Sequence, residues 1–225
     1  MLTFRVLSEL LRYPAPELKA EAAEAEHILR EEGLLGEENL NDVCGFLQNV
    51  RETPQLQLEA AYLEAFDRGR STSLYLFEHI HGESRDRGQA MVKLVMRYRA
   101  HGLELRQNEL PDYLPLFLEF LSTRSVPEAR KHLAEVVDII ALIGERLSRR
   151  GAVHARLLAA VASLANRGND SVELASIVQQ EDRDDTPAAL DRTWEDAPVT
   201  FNDAAGMSAE DIFGSPRNGR ASVGD

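Results

Sequence analysis

The chain has 225 residues, a formal net charge of -13, 44% hydrophobic and 28% charged residues, which fits a globular chain of one domain or two with a core to bury. Its acidity, with a pI near 5.0, argues against a nucleic-acid partner, since phosphate binding needs a basic footprint. A single cysteine, Cys44, excludes an internal disulfide and a cysteine-based zinc cluster.

Apolar residues recur at helical spacing along nearly the whole chain, and no alternating strand pattern emerges. Val6, Leu7, Leu10 and Leu11 form the first stripe, which Pro14 ends. With Glu9 and Arg12 inside it, this stretch lacks the unbroken apolar core of a signal peptide. Leu18, Ala22, Ala25 and Leu29 make the second stripe, with Gly33 as its stop. Leu40, Val43, Leu47 and Val50 make the third. Thr53-Pro54 reads as a helix start, a hydroxyl cap and then a first-turn proline, for a helix carrying Leu58, Tyr62 and Phe66.

Residues 66–91, FDRGRSTSLYLFEHIHGESRDRGQAM, are the most informative stretch. Arg68, Arg70, Arg85 and Arg87 alternate with Asp67, Glu78, Glu83 and Asp86; His79, His81, Leu74, Leu76, Phe77 and Ile80 lie between them. Charges threaded through apolar residues must pair with one another or with a partner, because an unpaired buried charge is costly. A helix over residues 71–81 puts Leu76, Phe77 and Ile80 on one side and Tyr75, Glu78 and His79 on the other, which predicts an enclosed helix. Two accounts stay open: a buried helix whose Glu78 and histidines are satisfied by flanking arginines, and a binding surface.

Met91, Leu94, Val95 and Tyr98 continue the pattern to Gly102. Leu110-Pro-Asp-Tyr-Leu-Pro115 should form a stiff loop that displays Tyr113. Asp112 is placed to cap the following helix of Leu114, Phe117, Leu118 and Leu121, with Pro115 tolerated in its first turn. A longer helix is expected from Pro127 through Leu133, Val136, Ile140, Ile143 and Leu147 to Gly151. The apolar run at 136–143 is interrupted by Asp138 and falls far short of the roughly 18 residues of a membrane span. Two more stripes, 153–165 and 172–178, complete an all-α, single-domain bundle of about nine or ten helices. Residues 181–225 carry eleven acids against four arginines. The chain is therefore read as a helical domain over 1–195, with Trp194 placed to dock its end onto the body or onto a partner, and a disordered acidic tail over 196–225.

The chemistry-bearing motifs are sparse. His79 and His81 are spaced as His-x-His, which diverges on a helix, and no His-Glu-x-x-His occurs, so no metal site is expected. Gly69-Arg-Ser-Thr72 lacks the lysine and first glycine of a phosphate loop. Phosphate of a nucleotide or pterin held by Arg68, Arg70, Arg85 or Arg87 remains the rival reading. No nucleophile elbow or kinase set is present, and nothing argues for an enzyme.

Four segments carry a resemblance: Phe66-Asp-Arg-Gly-Arg-Ser-Thr-Ser-Leu74; Leu76 to Met91; Glu109-Leu-Pro-Asp112 with Leu114-Pro-Leu116; and Asp184-Asp-Thr-Pro-Ala-Ala-Leu-Asp191. Over about residues 1 to 194 the chain resembles the NarJ family, also called nitrate reductase delta subunits, within the TorD-like redox-enzyme chaperones. That resemblance implies an all-helical, cytoplasmic, non-enzymatic chaperone with no permanently bound cofactor and no membrane insertion of its own. It implies as client the catalytic (alpha) subunit of respiratory nitrate reductase, as apoenzyme or alpha–beta complex. The work implied is insertion of the molybdenum bis(molybdopterin guanine dinucleotide) cofactor before membrane docking. Leu74, Phe77 and Tyr113 are then expected as apolar contacts to the client's N-terminal segment. Glu78, Glu83, Asp86 and Asp112 are expected as acceptors for client Arg or Lys, and His79, His81 and Arg85 as further members of the surface. The family loop reads Pro-Asp-His, and Tyr113 stands here in place of the histidine.

Overall fold

Stripes of leucine, isoleucine and valine at i, i+3 and i+4 gain most of their stability by facing one another, so helices with such stripes stack around a shared apolar centre. The computed structural model describes residues 1–81, 85–106, 109–165 and 171–194. It divides into two compact units, Met1–Thr186 and Pro187–Asp225. The first unit comprises α1 (Leu2–Leu10), α2 (Leu18–Glu32), α3 (Glu37–Glu52), α4 (Gln55–Phe66), a 3-10 turn (Arg70–Thr72), α5 (Leu76–His81), α6 (Arg85–Ala100), α7 (Leu114–Ser122), α8 (Val126–Ala134), α9 (Val137–Arg149), α10 (Ala155–Ser163) and α11 (Ser171–Gln180). In the second unit α12 (Pro187–Trp194) is described. The side chain of Trp194 and the expected tail over 196–225 lie outside the described residues. The fold is all-α, with no strand among the described residues.

The core of the first unit is built where α9 packs on α10, α1 on α7, and α3 on α2 and α10. Leu7, Leu47, Leu118, Ile140, Leu147 and Leu158 are fully buried there, each worth roughly 1.5–3 kcal/mol of apolar transfer. Gly33 ends α2 in the left-handed region at φ 61°, as its position predicts, and its N–H bonds the Leu29 carbonyl.

Three local expectations are corrected. Thr53 does not cap α4: Pro54 is its N-cap residue and no side chain bonds its first turn. The long helix from Pro127 is two helices, α8 and α9, parted at Glu135 and Val136, whose N–H groups bond three residues back to His132 and Leu133. No proline or glycine marks that break. The helix over 71–81 is the 3-10 turn plus the six residues of α5, and it is not enclosed, because Ile80 is 50% exposed. With these divisions the described residues form twelve α-helices rather than about nine or ten. Among them no helix is long and apolar enough to cross a membrane.

Candidate functional site

The two unusual sequence stretches meet. The Leu74 carbonyl accepts the Leu114 N–H at 2.8 Å, the Asp112 carbonyl accepts the Leu76 N–H at 3.0 Å, and Tyr75 and Tyr113 form an isolated antiparallel bridge. Asp112 Oδ2 then accepts the Phe77 N–H at 3.1 Å. Asp112 thus satisfies the first two N–H groups of α5, one with its backbone and one with its side chain. It does not cap α7, as the sequence suggested. That helix starts behind Tyr113 with Pro115 in its first turn and no side-chain cap. A six-residue helix is too short to persist alone, and this loop is one of the supports that hold α5 in place.

Asp112 is fully buried, and its Oδ1 has no partner among the described residues. Burial pushes its carboxyl above the usual range, against the Phe77 N–H and the Arg87 charge. Arg87 lies 3.8 Å from Asp112 and 3.3 Å from Glu78, so one guanidinium faces both carboxylates. The loop is fastened on its other side by buried Tyr98, which donates to the Pro111 carbonyl at 2.8 Å.

His79 points inward. Its Nε2 lies 2.8 Å from the Ser73 carbonyl and its Nδ1 3.4 Å from Arg146 Nη1. A guanidinium donates and a carbonyl accepts, so Nδ1 accepts and Nε2–H donates, which fixes a neutral tautomer. Burial lowers the His79 pKa; the Arg146 charge adds to this, while the Ser73 bond opposes it. Tyr113 is half-buried rather than displayed: its ring sits 5.3 Å from Tyr75, and its hydroxyl is 3.3 Å from that of Tyr62.

The accessible part is apolar at its tips. Ile80 on α5, Val92 and Met96 on α6, and Leu110 are 50%, 53%, 63% and 45% exposed. Val92 and Met96 share one helix face. A second apolar feature lies between α1 and α2, an open groove of about 340 Å³ with a floor of Val6, Leu10 and Ile28. Glu9, Glu21 and Glu24 outnumber Arg5 at its rim. Nothing in either place couples a nucleophile to a base, and no group of three or more His, Cys, Asp or Glu could hold a metal among the described residues.

The family model described as nitrate reductase delta subunit matches residues 32–160. The chain belongs to that family. The NarJ molybdenum cofactor assembly chaperone of Escherichia coli K12 is 43% identical over 201 residues, covering 89% of this chain and 85% of that protein. The probable chaperone NarW of the same organism is 42% identical over 89% of this chain and 84% of its own length. The probable NarJ of Bacillus subtilis is 31% identical over 76% of this chain and 94% of its own length.

In this delta-subunit family chain, the residues expected to contact a client divide by depth. Leu74 and Asp112 are buried; Phe77, Glu78, His79 and Tyr113 are half-buried; Asp86 is exposed. Glu83 and the side chains of His81 and Arg85 lie outside the described residues. Of the central arginines, Arg68 pairs with Glu64 at 2.6 Å and Arg87 with Glu78, so these two brace the protein's own carboxylates. Sequence reading missed Tyr98, Arg146 and Arg150, which support the site from α6 and the end of α9. A readable sign was present for the last two, since Arg146, Arg149 and Arg150 recur at i, i+3 and i+4.

Proposed function

We propose that this chain is a cytoplasmic chaperone that holds the apo catalytic (alpha) subunit of respiratory nitrate reductase, alone or with the beta subunit. It assists insertion of the molybdenum bis(molybdopterin guanine dinucleotide) cofactor before the enzyme docks at the membrane. The observation that carries this reading is the 43% identity over 89% of the chain to a protein named as a nitrate reductase molybdenum cofactor assembly chaperone. The geometry supports it: a fastened loop and a short helix present apolar side chains among charges.

In this reading the client's N-terminal segment lies as an amphipathic helix on α5, α6 and the 110–113 loop. Phe77, Ile80 and Tyr113 supply apolar contact, with Glu78 and Asp86 beside them as acceptors. Leu74, His79 and Asp112 act from beneath as supports. The charge pattern favours a second location, the groove between α1 and α2, whose carboxylate-rich rim suits a basic helix. The rival nucleotide or pterin site is weakened by the commitment of Arg68 and Arg87 to carboxylates.

Titration calorimetry with a synthetic peptide of the client's N-terminal segment tests the proposal. Loss of affinity in Phe77→Ala and in the solvent-facing Ile80→Ser places the peptide on α5. Loss in Glu21→Gln/Glu24→Gln with Ile80→Ser unaffected places it in the groove. Absence of heat and of competition at millimolar peptide defeats both.

A further inference from the structure

The Asp184-Asp185-Thr-Pro segment is a motif that client binding leaves unexplained. Arg146, Arg149 and Arg150 close α9 on one face, and all three reach toward residues 178–185. Arg146 forks onto Glu181, with Nε 2.8 Å and Nη2 2.7 Å from its two oxygens. Arg149 donates to the Glu181 carbonyl at 2.8 Å. The Arg150 side chain, 7% exposed, donates to Asp184 Oδ1, to Ser71 Oγ at 2.7 Å and to Thr72 Oγ1 at 2.9 Å. Asp184 Oδ2 in turn accepts the Ser71 N–H at 2.8 Å. Asp184 lies so close to Gly69 that a Cβ there would sit 2.6 Å from its carboxylate oxygen. Residues 181–185 are therefore a strap fixed by forked, charge-assisted bonds, the strong kind.

Arg146 does more than hold the strap. Its Nη1 also donates to the Ser71 carbonyl at 3.0 Å and faces His79 Nδ1 at 3.4 Å. One guanidinium thus joins Glu181 of the strap, the 3-10 turn and the inward face of α5. We propose that Arg146 is a positioning residue for the α5 surface and that the strap over 181–185 is its latch. With Glu181 and Asp184 engaged, Arg146 stays over Ser71 and His79, and α5 is preorganised for a partner. With the strap released, Arg146 swings free, His79 loses one of its two contacts, and α5 frays. A frayed α5 must be reordered on binding, at a cost in affinity. The latched state is the receptive one.

The affinity part of this inference rests on the reading that α5 binds the client; the effect on α5 itself does not. The test combines hydrogen–deuterium exchange with peptide titration on the full chain, in Arg146→Lys and in the double variant Glu181→Gln/Asp184→Asn. Lysine keeps the charge but cannot make the fork. Both variants should exchange faster over residues 76–81 and bind the peptide on the order of tenfold more weakly, a usual size for coupling between sites. Unchanged exchange over 76–81 in a double variant whose strap amides exchange faster overturns the latch. So does a double variant whose strap amides are unchanged, because the strap would then not depend on these pairs. If the wild-type chain binds no peptide while the variants still loosen α5, the latch stands and the client site fails.

Discussion

A buried carboxylate costs stability unless its oxygens find donors, and Asp112 stands at full burial with one oxygen bonded and the other without a partner among the described residues. Its yield is the α5 cap, so Asp112→Ala should destabilise the fold by about 0.5–2 kcal/mol, the usual worth of such a cap. Asp112→Asn keeps an acceptor for the Phe77 N–H and should cost less; urea melts of both variants check the order. The sequence revealed a stiff, capped loop at 110–115 but assigned its acid to α7. A cap is read from its neighbours in sequence, whereas α5 lies some 35 residues away and is reached through the fold. His154 was equally hidden, since nothing in the sequence marks it. It is 5% exposed, with Phe66, Phe46 and Tyr62 rings at 5.1, 5.4 and 6.1 Å. Burial lowers its pKa from 6.5 to about 4. The folded state therefore favours the neutral ring: His154's contribution is whole above pH 6.5 and is lost as pH falls from there to about 4. A shift of that size corresponds to roughly 3 kcal/mol. His154→Leu should flatten the acid side of the stability profile over that window, and melts at pH 7 and pH 4.5 measure it. An equally steep decline in the variant would assign the acid sensitivity to other groups.

At the scale of elements, apolar spacing gave most of the helices because each has a stripe that must face the core. It failed where an element is defined by hydrogen bonds instead of apolar faces. The break between α8 and α9 is a switch to bonds three residues back, with no proline, glycine or change of pattern to announce it. The 3-10 turn and α5 were merged for the same reason: Ser73 and Leu74 carry no helix breaker, and the loop from another part of the chain ends one element and starts the next. Gly69 is the residue that lets the strap close on the turn. Its backbone is extended at φ -179°, so alanine there meets no conformational obstacle, and the atoms nearest to its Cβ would be those of the Asp184 carboxylate. Gly69→Ala should destabilise by roughly 1–3 kcal/mol, the range for overpacking. In an Asp184→Ala background, which removes the obstructing carboxylate, the same change should be nearly neutral. A double-mutant cycle on thermal melts checks this; equal costs in both backgrounds would show that the contact does not limit the strap.

For the whole molecule, a net charge of -13 keeps copies of the chain apart and favours basic partners, but it does not say whether a partner stays or leaves. Family membership leaves the same question, because the family is described as a subunit while its relatives named above are chaperones. The two roles differ in thermodynamics. A subunit binds the finished enzyme at least as well as the unfinished one. A chaperone must bind the apo form more tightly, and release requires a differential affinity between the two states. A hundredfold preference, about 2.8 kcal/mol, takes the complex from about 90% to about 10% occupied once the client is complete, and emptying a nearly saturated one needs roughly 10⁴-fold, about 5.5 kcal/mol. If the proposed α5 surface is the site, its few exposed apolar tips and the pairing of Glu78 with Arg87 keep affinity modest, as release requires. The chain should therefore co-purify with the catalytic subunit from cells unable to make the molybdenum cofactor and be nearly absent from the cofactor-loaded enzyme. Adding cofactor to the isolated complex should shift the chain to the free fraction on gel filtration. Recovery in a fixed ratio from both kinds of cell would make it a permanent subunit and remove the chaperone reading.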